Sequence, residues 1–187
     1  MKKLSVGLML LVSLFCLVTS VGAASLSEGV RQIYLQQKDG SEQRIGELVL
    51  SPAENSLLSY KVNLDYDLFK DYFLSMKEMK CLEGDELWCF IPYPYTQPRT
   101  VAEDDLRWLE HDLLFMFKPP EAFGANFWNG IYYKMELTDQ GIRGTAHAVD
   151  LNRLASPPDD LSQPPIGEFD TDEADLDKRW LPYIEIR

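Results

Sequence analysis

Alternating apolar and polar positions recur along the first third of the chain and predict antiparallel strands. Between Leu58 and Leu64, apolar residues occupy every second position, which is the period of a strand buried on one face. Two earlier runs, at 31–37 and 44–51, flank an Asp-Gly pair, and Asp-Gly between apolar-bearing runs is a strong hairpin signal. The three segments therefore predict three consecutive strands.

The clearest hairpin signal lies at 131–149, where two apolar-bearing runs meet at an Asp-Gln-Gly turn. Pairing Leu137 with Ile142 sets large side chains of one run opposite Gly and Ala of the other, on a single core face. The same register places Glu136 across from Arg143. A shift of one residue mixes apolar with charged positions, so we expect the first register.

Helical spacing marks residues 101–117 and predicts one amphipathic helix. Thr100 and Glu103 fit a capping box at its start, and Pro119 follows its end. Leucines and aromatic residues form an apolar stripe along one side. The other side carries four acids, which are Glu103, Asp104, Glu110 and Asp112. We expect this acidic face, and His111 beside it, to be solvated.

The N-terminus has the order of a secretory signal peptide. Two lysines precede an apolar stretch over 4–18, and small residues follow over 19–25. We expect cleavage to remove residues 1–23 and to leave the protein in the periplasm or the medium; a retained anchor helix is the alternative. The longest later apolar run, 113–117, is too short to cross a bilayer, so no transmembrane segment is expected after cleavage.

Cysteine positions support an oxidising compartment. Loss of Cys16 with the signal leaves Cys81 and Cys89, and a lone pair in an exported protein usually forms a disulfide. A turn-like Glu-Gly-Asp lies between them, so we expect a structural disulfide across a hairpin. The spacing does not fit a Cys-x-x-Cys redox pair or a zinc site.

Residues 155–187 differ from the rest of the chain, because they are rich in proline and contain nine acids against three bases. They predict either a mobile acidic tail or an arm strapped over the fold, with the last residues docked as an edge strand. The sequence thus predicts a β-rich domain over 24–154, with the helix near 101–117, and an acidic C-terminal arm. The expected fold is mostly β, a bent antiparallel sheet or partial β-barrel of six to eight strands.

The charge limits the class of partner. The chain of 187 residues has a formal charge of −12, and removal of 1–23 takes away two lysines and no acid, which gives −14. Nucleic acid is excluded as the main partner, because phosphate binding requires a cationic surface. An acidic protein attracts basic partners at long range. No residue spacing predicts a metal site or a cofactor.

Five residues are candidates for a binding site. Tyr93 and Tyr95 lie in a proline-rich segment, and Trp128 and Tyr132 flank the start of the clear hairpin; rigid amphipathic side chains of this kind are favoured at recognition sites. His147 is included because histidine is the residue type most often used for acid–base chemistry, although no nucleophile motif or triad accompanies it. Packing within the fold is the alternative role for each of the five.

Three short segments resemble uncharacterised exported bacterial proteins: Cys81-Leu-Glu-Gly, Trp88-Cys89 and Pro92-Tyr-Pro-Tyr95. The resemblance implies no activity. The leading hypothesis is an exported envelope binding or interaction module that engages a basic protein or a small ligand. A hydrolase using carboxylates or His147 and a structural envelope protein are the alternatives.

Overall fold

A computed structural model of the protein describes residues 25–75 and 77–187. The predicted signal peptide, 1–23, lies outside the described residues. The strands are β1 Gly29–Gln36, β2 Glu42–Pro52, β3 Leu58–Leu64, β4 Lys70–Ser75, β5 Lys77–Glu83, β6 Leu87–Ile91, β7 Thr100–Val101, β8 Leu114–Lys118, β9 Gly130–Thr138, β10 Gly141–Val149, β11 Thr171–Glu173 and β12 Tyr183–Ile186. The α-helix α1 is Arg107–His111, and 3-10 turns occupy Glu54–Ser56, Tyr66–Leu68, Leu151–Ala155, Glu168–Asp170 and Leu176–Lys178.

These strands form one antiparallel sheet that does not close into a barrel. Its order is β4-β5-β6-β8-β9-β10-β12-β1-β2-β3-β7, and β11 pairs with the remaining part of β10. The prediction of a mostly β fold is confirmed. The described residues form 12 strands rather than six to eight, because segments expected to be helix, loop or arm also join the sheet.

The two hairpins predicted from local pattern are confirmed. β1 pairs with β2 around the Asp-Gly turn. β9 pairs with β10 in the expected register, with Leu137 opposite Ile142 and Glu136 opposite Arg143. Gly144 shows why a small residue is required on this face, since a Cβ there would lie 2.5 Å from Cγ2 of Ile184 on β12.

The helix prediction over 101–117 is wrong in extent. α1 covers five residues, Val101 belongs to β7, and residues 114–118 form β8 between β6 and β9. The apolar run fits a strand covered on both faces as well as it fits a helix stripe, and periodicity alone does not separate the two. The capping box is absent too: no side chain caps α1, and the Glu103 carboxylate instead accepts the N–H of Leu26 at 3.1 Å.

The end of the chain lies inside the sheet, which corrects the expected edge strand. β12 pairs with β10 on one side and with β1 on the other. Ile184 and Ile186 are fully buried. Further back in the arm, β11 covers the end of β10 and Ile166 enters the core. Strands β11 and β12 of the arm are therefore part of the sheet, and β12 connects β10 to β1.

The disulfide prediction is confirmed: Cys81 and Cys89 are directly opposite residues of β5 and β6 and are bonded, with an S–S distance of 2.01 Å. Both are fully buried. Around them lies a single apolar core that includes Trp88, Phe115 and Tyr133.

Candidate functional site

An apolar depression of about 290 Å³ lies where β5, β6 and three connecting segments meet. Its wall residues are Tyr66, Glu78, Met79, Lys80, Phe90, Ile91, Pro92 and Phe127. Most of this wall is aromatic or aliphatic. Concave sites with a largely apolar lining and a few polar groups are the usual form of ligand sites in proteins.

A second, more polar depression of about 190 Å³ adjoins the first. Its wall residues are Lys61, Val62, Leu64, Tyr66, Phe90, Pro92, Tyr93, Arg99 and Asp112. Tyr66, Phe90 and Pro92 line both depressions, so the two lie side by side and are taken together as one candidate site. We call this site the gap groove, with an apolar section and a polar section.

The open sheet explains the position of the gap groove. β5 and β6 lie near one end of the strand order, and β3 lies next to the last strand at the other end. The groove takes residues from both ends, so it lies where the sheet fails to close. The 3-10 turn Tyr66–Leu68, which links β3 to β4, brings Tyr66 to its rim.

Asp112 is the carboxylate of the polar section. The Gln97 side-chain amide donates to its Oδ1 at 2.6 Å, and the Tyr60 hydroxyl lies 3.1 Å from its Oδ2. The Arg99 Nε is 3.8 Å from Oδ2. Burial raises the pKa of Asp112, although these three partners favour the charged form. The carboxylate is therefore held in place by β3 and by the segment that connects β6 to β7.

Arg99 has a left-handed backbone, with φ of 52°, and an L side chain is uncommon in that region. Its carbonyl accepts the N–H of Tyr60 at 2.9 Å, which ties this residue to the edge of β3. The side chain is 63% exposed. The strained backbone thus continues the pairing of β7 with β3 by one residue and sets the guanidinium at the mouth of the groove.

Tyr93 supplies a hydroxyl with no hydrogen-bond partner among the described residues. The side chain is 9% exposed, and its ring meets His111 edge-on, with ring centroids 5.6 Å apart. Burial raises its pKa, so the hydroxyl stays protonated. A buried donor without an acceptor costs free energy, and the oxygen has no exposed surface through which a ligand in the groove would reach it.

Glu110 and His111, the two residues before Asp112, are directed away from the gap groove. Glu110 accepts hydrogen bonds from the Tyr132 hydroxyl and, at 2.6 Å, from the N–H of Met135. Burial raises its pKa. It therefore fastens α1 to β9, and the prediction that this acid is solvated is wrong.

His111 is fully buried, so the prediction of a solvated histidine is wrong as well. Its Nδ1 lies 2.7 Å from the Arg107 carbonyl and carries the proton, while Nε2 accepts the N–H of Ile166 at 3.2 Å. Burial lowers its pKa to about 4. The neutral ring therefore fastens the C-terminal arm to α1.

The structure separates the five residues predicted as a binding site. Tyr93 lines the gap groove, whereas Tyr132 is buried beneath α1 and is 3% exposed. The Tyr95 hydroxyl donates to the Leu154 carbonyl at 2.8 Å. Trp128 is 70% exposed and does not line the groove. His147 is half-buried, with Nδ1 3.0 Å from the Thr145 carbonyl.

Sequence reasoning missed most of the groove. The helical pattern places Asp112 on a solvated face, and no motif includes Arg99. Phe90 and Val62 are strand residues, on β6 and β3. Their presence in the wall of one depression depends on the strand order, which local sequence does not encode. A signal was present only for Tyr93, through its position among prolines.

Comparison with known proteins adds no identity: no protein-family model matches the chain, and no curated protein or solved structure is significantly similar. Over residues 25–75 and 77–187, no helix has the length and apolarity needed to cross a membrane. The same residues contain no cluster of three or more His, Cys, Asp or Glu suited to a metal ion. The functional argument therefore depends on the gap groove.

Proposed function

We propose that the protein is an exported binding module of the cell envelope and that the gap groove is its binding site. The observation that carries this proposal is the wall that the two sections share, formed by Tyr66, Phe90 and Pro92. An apolar group of a ligand would occupy the larger section, and its polar atoms would meet Arg99 and Asp112. Export is proposed from the signal-like order of residues 1–23.

Binding is better supported than hydrolysis. A carboxylate mechanism requires two carboxyl groups facing one substrate, or a carboxyl group paired with another base. Within the described residues, the two carboxylates of the groove wall belong to different sections, Asp112 to the polar one and Glu78 to the apolar one, and Glu110 and His111 point to other elements. His147 lies outside the groove.

A basic partner is proposed from the net charge. The chain without residues 1–23 has a formal charge of −14, which attracts cationic molecules and speeds their association at low salt. A small ligand remains within the same proposal, since the apolar section alone offers about 290 Å³.

The proposal is tested with a neutral fluorescent apolar probe, N-phenyl-1-naphthylamine, titrated into purified protein from expression of the full chain. We expect saturable binding that weakens at least fivefold in Tyr66→Ala, because this ring forms the rim of both sections. Phe123→Ala is the matched control, since Phe123 is an exposed aromatic residue outside the groove wall. Absence of saturable binding, or equal weakening by both substitutions, would refute the proposal.

A further inference from the structure

The edge of β3 that faces the gap groove is only partly covered. β7 pairs with β3 at Leu58 and Ser59, and the Arg99 carbonyl then accepts the N–H of Tyr60. Beyond Tyr60, no strand of the described chain pairs with this side of β3. The uncovered part, residues 62–64, belongs to the wall of the polar section.

The direction of the backbone groups follows from the pairing. Successive residues of an antiparallel strand direct their N–H and C=O groups to opposite sides. The N–H of Tyr60 points to the β7 side, whereas the N–H of Asp65 donates to the Ile45 carbonyl on the β2 side at 2.9 Å. Val62 and Leu64 therefore direct their N–H and C=O groups into the gap groove. An uncovered strand edge of this kind is a template for another strand.

We propose that the occupant of the gap groove is an extended peptide segment of a partner protein, which pairs with Val62 and Leu64 as an added strand. This inference rests on the proposed binding function and names the chemistry of the ligand. An apolar side chain of the peptide would enter the section walled by Met79, Phe90 and Phe127.

The charges of the groove and of the protein around it indicate which residues the peptide contains. Within the groove, Lys80 pairs with Asp71 at 2.7 Å and Arg99 faces Asp112 at 3.8 Å. The remaining Glu78 and Lys61 have opposite charges, so the groove is locally balanced and suits uncharged peptide residues. The surrounding protein is strongly acidic, which favours Lys or Arg on either side of the bound residues.

Synthetic peptides test the pairing directly. The probe is Ac-Lys-Val-Phe-Val-Lys-NH2, and its binding to the purified protein is measured by isothermal titration calorimetry. One analogue is N-methylated at both valines, and a second at the phenylalanine and both lysines, so that the residues of each analogue lose the N–H groups of one edge. Because one edge of an added strand faces β3, we expect one analogue to bind at least tenfold more weakly and the other to change less than threefold.

A substitution tests the same edge from the side of the protein. The N–H of Val62 faces the groove and serves no bond to β2, so Val62→Pro removes a donor to the peptide without removing a ladder bond. We expect Val62→Pro to abolish peptide binding while cooperative urea unfolding, which reports the fold, is retained. Val62→Thr, which keeps the backbone donor, is the control and should bind the peptide within threefold of the unmodified protein.

The outcomes separate the two proposals. Naphthylamine binding with no peptide binding, or equal loss for both methylated analogues, overturns the strand addition and leaves the binding function standing. Failure of the naphthylamine probe to bind overturns the proposed function itself. Sedimentation of the protein as a dimer that Val62→Pro dissociates would assign the edge to a second copy of the chain and would overturn the peptide inference.

Discussion

We expect the free energy of unfolding to fall on acidification because of His111, and the substitution His111→Gln to remove this contribution. The ring is fully buried, and its Nε2 accepts the N–H of Ile166, so a proton on Nε2 would remove an acceptor and place a charge in the core. Burial lowers the folded-state pKa to about 4 from the ordinary histidine value of 6.5. The unfolded chain therefore binds a proton at a higher pH than the folded chain does.

The direction and size of this stability change follow from the difference in proton binding between the folded and unfolded states. Stability is unaffected well above pH 6.5 and is lost as the pH falls toward the folded pKa, because the unfolded state binds more protons there. A shift of this size corresponds to a loss of about 2 kcal/mol at pH 5 and about 3 kcal/mol at pH 4.

Urea unfolding followed by circular dichroism, at fixed ionic strength between pH 7 and pH 4, measures the effect. His111→Gln is the reference, because glutamine does not titrate in this range and still carries a donor for the Arg107 carbonyl and an acceptor for Ile166. Carboxylates such as Glu110 titrate in both proteins and cancel on subtraction. A difference between the two proteins that stays constant within about 0.5 kcal/mol from pH 7 to pH 4 would contradict a neutral buried His111.

Three further predictions concern the fold. Reduction of the Cys81–Cys89 disulfide should lower the free energy of unfolding by about 2.5 kcal/mol on the chain-entropy model, measured by urea unfolding with and without reductant; a Cys81→Ala/Cys89→Ala variant should not respond to reductant. Removal of residues 183–187 should abolish cooperative thermal unfolding, because β12 joins β10 to β1; Arg187→Gln, which leaves the strand in place, should retain it. Glu110→Leu should lower the free energy of unfolding by about 1–3 kcal/mol, because it leaves the N–H of Met135 without an acceptor. Glu110→Gln keeps an acceptor, and an equally large loss in that variant would show that the charge of Glu110 matters and its hydrogen bonds do not.

The strands and hairpins that could be predicted have short-range signals. β9 and β10 show this best, because a turn sequence fixes where the chain reverses and the alternation of large and small residues fixes the register. The Cys81–Cys89 disulfide belongs to the same class, since both cysteines flank one turn. These features depend on residues close together in sequence, so they can be derived from it.

The wrong prediction of a helix over 101–117 has a long-range cause. The apolar run at 113–117 satisfies a helix stripe and a doubly covered strand equally well, and the choice depends on whether β6 and β9 lie on either side of it. Once 114–118 is a strand, α1 is short and its last residues turn inward. Glu110 and Asp112 are then covered by distant segments, although both belong to the polar side of the predicted helix.

The sequence by itself determined the composition of the core, the local hairpins and the acidic charge, because each is a property of neighbouring residues or of their sum. Only the tertiary structure decided that the last strand lies between β10 and β1. It also decided that the two ends of the sheet, at β4 and β7, do not pair with each other. Insertion of β12 requires pairing across more than a hundred residues of chain, which no local pattern encodes. The gap groove follows from that strand order, because an open sheet leaves an unpaired edge and an apolar wall facing each other.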